Sequence, residues 1–291
     1  SLNDFKKKHQ NKKNQIVFCE TKCKNNKIIE NIINNFLTKK NSFIFESVEK
    51  RRIRGRYTII GADPDKIWEF SNKKIHIIEN NRKKIIKGSP YAFMKKLIEN
   101  FHFPLPKNLP PLCSLLVGYF SYDIIRYIES IPDNCLDDLK IPDVRLLRPK
   151  TIIIHDNVLK KIYFIKNCFA DEKINNYQEY FLELKQNINF LRNLTFDFSY
   201  KKLVKKITNR KISVKSNISK KKFKNMVLKA KKYIKKGDIF QVVLSQRFEA
   251  KLTKKPLEIY KKLRITNPSP FMYFFNFHDF QIIGASPEIL V

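Results

Sequence analysis

The stretch "SFIFESVEKRRIRGRYTIIGADPDKIWEFSNKKIHIIE" (residues 42–79) decides the fold class. It holds four β-rich runs: "SFIFESV" (42–48), "RYTIIG" (56–61), "KIWEF" (66–70) and "KIHIIE" (74–79). Turns separate them, and the polar "SNKK" joins the last two as a hairpin. Strands that follow one another without a crossover helix argue against strict βαβ alternation. They argue for an α+β fold.

The rest of the chain fits that class. "QIVFC" (15–19) reads as a short strand, and "KIIENIINNFL" (27–37) as a helix with Ile28, Ile32 and Phe36 on one face. "SPYAFMKKLIENFHF" (89–103) is a helix that Ser89 caps, with Pro90 at the first helical position. Three prolines in "LPKNLPPL" (105–112) break the chain before the strand "CSLLVGYFSY" (113–122) and a short helix around "DIIRYIES" (123–130). "TIIIHD" (151–156) and "KIYFIKNCF" (161–169) are further strands, followed by a long helix over 171–193. Residues 194–216 are polar and basic without a period and read as a linker. "SKKKFKNMVLKAKKYIKKGD" (219–238) then gives the clearest helix, with Phe223, Met226, Val227, Ala230 and Ile234 on one face, Ser219 as its cap and Gly237 as its left-handed end. "DIFQVVLSQRFEAKL" (238–252) reads as a long strand, and a helix starts at Pro256. "FMYFFNF" and "QIIGAS" pair as a hairpin across His278 and Asp279. The expected architecture is an α+β sandwich.

Composition narrows the function classes. Of 291 residues, 43% are hydrophobic, which describes a folded chain rather than a disordered one. No apolar run approaches the length of a membrane helix. The formal charge is +32, but Lys is spread along the whole chain beside Asn and Ile. Without an RNP-like motif, zinc-finger spacing or a basic tail, that charge reads as compositional bias rather than a nucleic-acid footprint. It would still concentrate anionic substrates. Cys19, Cys23, Cys113, Cys135 and Cys168 have no metal-site spacing and read as free thiols of a cytoplasmic protein. The five histidines show no ligand spacing.

Four places carry possible chemistry. In "GDIFQVVLSQRF" (237–248), alternation puts Phe240, Val242 and Leu244 opposite Gln241, Val243 and Ser245. A strand apolar on both sides is normally central, so Gln241 is expected to be buried, either tying strands together or lining a pocket. In "NPSPFMYFF" (267–275), Pro268 and Pro270 stiffen the backbone ahead of Phe271 and Met272. That suits either a helix-to-strand connection or a flat platform for an aromatic ligand. Glu46 and Ser47 interrupt an apolar strand, as a strand end or as a grip for an ammonium group. Glu288, in "GASPEILV" (284–291), is either an active-site acid or a surface residue beside a turn.

Together these segments resemble the large subunit of anthranilate synthases. The match runs from "SFIFESVEKRRIRGRYTIIGADP" through "VGYFSYDIIRYIE", "GDIFQVVLSQRF" and "NPSPFMYFF" to "GASPE" in family order. The resemblance implies two facing β-sheets flanked by helices. It implies an N-terminal region over 15–170 that carries part of a tryptophan feedback site, a helix and linker over 171–215, and the start of a chorismate-binding region over 216–291. It also implies a longer protein, of which this chain is a fragment that would not complete the reaction alone. The family is a lyase of tryptophan biosynthesis: ammonia, delivered by a glutamine amidotransferase subunit, enters chorismate at C2, the C4 hydroxyl leaves, and pyruvate is eliminated to give anthranilate. Mg²⁺ holds the substrate carboxylate, and its ligands are expected downstream of Val291.

The resemblance also assigns roles. Glu288 matches the general acid for the departing hydroxyl, a task that calls for partial burial. Gln241 matches the position beside the nucleophile, where water-using relatives carry a lysine; an amide can orient ammonia but cannot deprotonate water. Glu46, Ser47, Asn267, Pro270, Phe271 and Met272 match the tryptophan-binding site. The early segment "ETKCKNN" (20–26) lacks a Pro that relatives often place beside that site. Two alternatives stand next to this reading: the sister aminodeoxychorismate synthases of the folate pathway, and a non-catalytic tryptophan-binding module. "FES" (45–47) and the double Val of "FQVVLS" (240–245) favour anthranilate synthase.

Overall fold

The structure is a computed structural model and describes residues 1–47, 55–101, 103, 105–193 and 212–288. It opens with helix α1 (Leu2–Gln10), strand β1 (Gln15–Lys22) and helix α2 (Asn26–Phe36), which Asn25 caps by accepting the Lys27 N–H at 2.9 Å. Four strands follow directly: β2 (Ser42–Glu46), β3 (Tyr57–Ser71), β4 (Lys74–Glu79) and β5 (Arg82–Ile86). Then come α3 (Pro90–Asn100), β6 (Val117–Phe120), a 3-10 turn at Tyr122–Tyr127, β7 (Val144–Asp156), β8 (Lys161–Cys168) and α4 (Tyr177–Asn193). The chain continues through β9 (Val214–Ser216), α5 (Lys220–Lys236), β10 (Phe248–Ala250), α6 (Pro256–Thr266), β11 (Phe271–Phe277) and β12 (Phe280–Ser286).

Ten strands form one antiparallel sheet in the order β1-β8-β7-β3-β2-β11-β12, with β4 and β6 joined at β3 and β7, and β5 beyond β4. The class is therefore α+β, with a large antiparallel sheet flanked by helices. A second sheet has only two strands, β9 and β10. The two stretches expected as separate strands, 56–61 and 66–70, are one strand, β3. "ADPD" does not end it, because the register shifts between Pro64 and Lys66 and the bulge absorbs a proline that cannot donate to the ladder.

The period-2 alternation sorts the core. Ile44, Ile60, Ile153, Phe164, Met272 and Phe274 face Ile32, Ile33 and Phe36 of α2, Leu191 of α4 and Tyr260 of α6. Their neighbours Phe43, Ile59, Ile152, Ile154, Ile165, Phe275 and Phe277 face the other way and pack with Cys113 and Val117. A third cluster buries Trp68, Phe70 and Ile75 against Met94 of α3. At about 1.5–3 kcal/mol per fully buried large apolar side chain, these layers dominate the sheet's stability.

The chain folds as two compact units. One unit comprises residues 1–200 and 256–291, and the other comprises 201–255. Residues 271–286 fold with the N-terminal strands because β11 pairs with β2. In the smaller unit, α5 has the expected caps. Ser219 Oγ accepts the Lys222 N–H at 3.2 Å, and Gly237 adopts φ +79°. The long strand expected over 238–252 is not present: 241–247 has no regular structure, and strand begins at Phe248. A strand with apolar residues on both faces needs ladder partners on both edges. Among the described residues only β9 pairs here, over three positions, so Phe240 and Val243 stay 92% and 83% exposed.

Much of the expected linker, and the "VEKRRIR" portion of the opening stretch, lies outside the described residues. No helix among the described residues is long and apolar enough to cross a membrane.

Candidate functional site

Alternation along β2 decides the fate of Glu46. Phe43 and Phe45 take one face, and Ile44 and Glu46 take the helix-covered face. The carboxylate is thus 6% exposed and needs partners. Two residues one turn apart on α6 supply them. Tyr260 Oη donates to Glu46 Oε1, and Arg264 Nε lies 2.7 Å from the same oxygen in an ion pair. Arg264 Nη1 also donates to Glu30 Oε1 on α2 at 2.7 Å. Burial pushes the Glu46 carboxyl above its ordinary range, against the opposing pull of Arg264 and Tyr260.

Ser47 follows Glu46 and ends the strand. Its Oγ is buried and has no hydrogen-bond partner. A buried hydroxyl without a partner is costly, and a polar ligand would relieve it.

The opposing strand brings the proline-stiffened segment alongside. Met272 pairs with Glu46 on one side and with Ala285 on the other. Segments about 220 residues apart in sequence therefore meet. The aromatic platform is narrower than expected, however. Phe271 and Met272 are neighbours on a strand, so they point to opposite faces. Met272 is 1% exposed in the core, while Phe271 is 38% exposed. Pro270 is half-buried and Asn267 is exposed at the end of α6. Ser269 lies between the two prolines, is 5% exposed, and donates to the Ser286 carbonyl.

That last bond leads to the C-terminal motif. Phe271 pairs with Ser286, whose Oγ accepts the Glu288 N–H at 3.4 Å in a tight turn. Glu288 is exposed. The partial burial expected for a proton donor is not supplied by the described residues. Gln241 is also exposed, in the irregular segment ahead of β10, because that segment lacks the ladder partners a central strand would have. It belongs to the smaller unit and Glu288 to the larger.

A family model of chorismate binding enzymes matches residues 40–291. The chain belongs to that family. Among curated members it is 36% identical over 255 residues to anthranilate synthase component 1 of Acetivibrio thermocellus, covering 86% of this chain and 51% of the relative. It is 35% identical over 261 residues to the enzyme of the same name from Cereibacter sphaeroides, with the same coverage. A solved structure, anthranilate synthase component I from Streptococcus pneumoniae, superposes with a TM-score of 0.63 at 30% identity, covering 82% of this chain and 52% of that one. The chain spans about half the length of the relatives it matches.

For a chorismate binding enzyme, the acidic residues described here do not make a metal centre. Among the described residues no group of three or more His, Cys, Asp or Glu stands close enough to hold an ion. Many carboxylates are engaged by arginines instead. Arg145 bridges Glu69 and Asp279, and Arg148 bridges Asp65 and Asp171, where its Nη2 lies 2.8 Å from Asp171 Oδ1. Tyr260 and Arg264 escaped the sequence reading. Their only signal is a Tyr and an Arg four residues apart on the helix just before "NPSP".

Proposed function

We propose that the enzyme to which this chain belongs converts chorismate and ammonia into anthranilate and pyruvate, and that tryptophan inhibits it. The observation that carries the reading is the Glu46–Met272 pairing. It seats Glu46, Ser47 and Phe271 beside the turn that leads to Glu288, at one end of three adjacent strands. The family membership and the anthranilate synthase relatives support the chorismate part.

In this reading Glu288 gives its proton to the C4 oxygen, which leaves as water. Gln241 orients ammonia as its lone pair attacks C2. Loss of pyruvate then restores aromaticity. Tryptophan places its ammonium at Glu46 and a polar group at Ser47. A glutamine amidotransferase subunit supplies the ammonia. The reading includes Mg²⁺, with its ligands outside the residues described here, and no step of this chain's residues runs through it. Feedback follows from continuity: a ligand that favours one arrangement of β2 and β11 biases β12 and its turn.

The test is anthranilate fluorescence from the full-length enzyme given chorismate, Mg²⁺ and an ammonium salt, with and without tryptophan. The expected result is product that tryptophan suppresses, and a loss of at least about 100-fold in turnover for Glu288→Gln. A folded Glu288→Gln variant with near-normal turnover removes Glu288 from the acid role.

A further inference from the structure

The residues assigned to the feedback site so far lie on strands and on the proline segment. The Glu46 carboxylate, however, does not stand alone. Tyr260, fully buried on α6, donates to Glu46 Oε1, and Arg264, one turn later, forms an ion pair with the same oxygen. No described residue donates to Oε2, while the adjacent Ser47 Oγ is buried without a partner. Arg264 is itself held at 2.7 Å by Glu30 of α2, and Lys261 Nζ stands 3.6 Å from Glu30 Oε2. Two cations and two carboxylates therefore balance within one cluster of α2, α6 and β2. Both groups engage the same oxygen, which leaves the other oxygen to accept.

We infer that Tyr260 and Arg264 are positioning residues of the tryptophan feedback site: they hold the Glu46 carboxylate ionised and aimed so that Oε2 receives the ligand's α-ammonium. The inference rests on the feedback reading above and extends that site onto α6. The physical argument is one of burial. A carboxylate at 6% exposure tends to keep its proton, and a protonated acid has no charge with which to hold an ammonium. Arg264 counters that tendency by charge, and Tyr260 counters it by donating. Removing Arg264 leaves burial opposed by Tyr260 alone among these two, so the carboxyl keeps its proton to higher pH than in the wild type. The loss of recognition is then pH-dependent and selective for ligands that carry an ammonium.

Titration calorimetry on the full-length enzyme tests this with two probes, L-tryptophan and indole-3-propionate, which lacks the ammonium. Both are measured at pH 6 and pH 8. Tyr260→Phe, Arg264→Met and Arg264→Lys are compared with Glu46→Gln, and thermal melts confirm folding. The expected result is that Arg264→Met weakens tryptophan binding about tenfold or more at pH 6 and recovers much of it at pH 8, with indole-3-propionate unaffected. Tyr260→Phe shows a smaller loss of the same kind, and Arg264→Lys restores most of the affinity. The inference fails if Arg264→Met and Tyr260→Phe keep wild-type discrimination at both pH values while Glu46→Gln loses it; the feedback site then stands without α6. It also fails if Arg264→Met weakens both probes equally and independently of pH, which is the mark of a purely structural role. If Glu46→Gln leaves tryptophan binding unchanged, or the wild type does not bind tryptophan, the feedback reading itself falls and takes the inference with it.

Discussion

A buried polar residue at the end of a strand must be satisfied by something, and three such residues share one row of this sheet. Glu46 pairs with Thr58, and Thr58 pairs with His155. All three are at least nine-tenths buried. Glu46 finds Tyr260 and Arg264. His155 has an Nε2 with no partner. Burial, helped by the nearby Lys160 charge, lowers its pKa to about 4. The folded state thus resists protonation that the unfolded chain accepts near pH 6.5. Stability is complete above that value and is lost as pH falls from about 6.5 to 4, by at most about 3 kcal/mol from this residue. His155→Phe is expected to flatten the acid limb of the urea midpoint between pH 7 and 4.5; an unchanged limb would remove His155 as its source. The sequence singles out Glu46 but not the row that it shares with Thr58 and His155. Position 155 reads there only as one more residue of an apolar run, and its burial depends on which face of β7 the helices cover.

At the scale of elements, pairing rather than propensity sets the outcome. The β3–β4 hairpin was legible because its turn has a specific chemistry, whereas β5 was not read as a strand. Asn72 and Lys73 take positive φ in the two-residue "NK" connection between β3 and β4. The helices were legible where caps and an apolar face coincided, as at Ser89 and Ser219. Helix α1 was missed because Phe5 and His9 are its only buried residues, too few to show a period. The run at 238–252 was misread for the opposite reason. Its composition suits a strand, but a ladder needs a neighbour, and composition carries no information about neighbours.

The same dependence makes Gly118 critical. A Cβ there would overlap the Arg145 carbonyl on β7, opposite its partner Leu146. Gly118→Ala is expected to cost at least about 1–3 kcal/mol in denaturant unfolding by forcing β6 off β7. A variant as stable as the wild type would mean that β6 does not pair in this register.

For the whole molecule, the resemblance read in the sequence and the sheet observed in the structure converge on β11. That strand lies far along the chain yet sits between β2 and β12, so residues of the proposed feedback site and the turn before Glu288 share one ladder. The motif order alone could point to the family, but not to this adjacency, which only long-range pairing creates. The central claim concerns the reaction that this framework serves, and the position of the new nitrogen decides it. Full-length enzyme is incubated with chorismate, Mg²⁺ and ¹⁵N-ammonium, and the product is examined by NMR. The account predicts an aromatic ring with ¹⁵N ortho to the carboxylate and one equivalent of pyruvate released. A non-aromatic product with ¹⁵N at C4 and no pyruvate would contradict it.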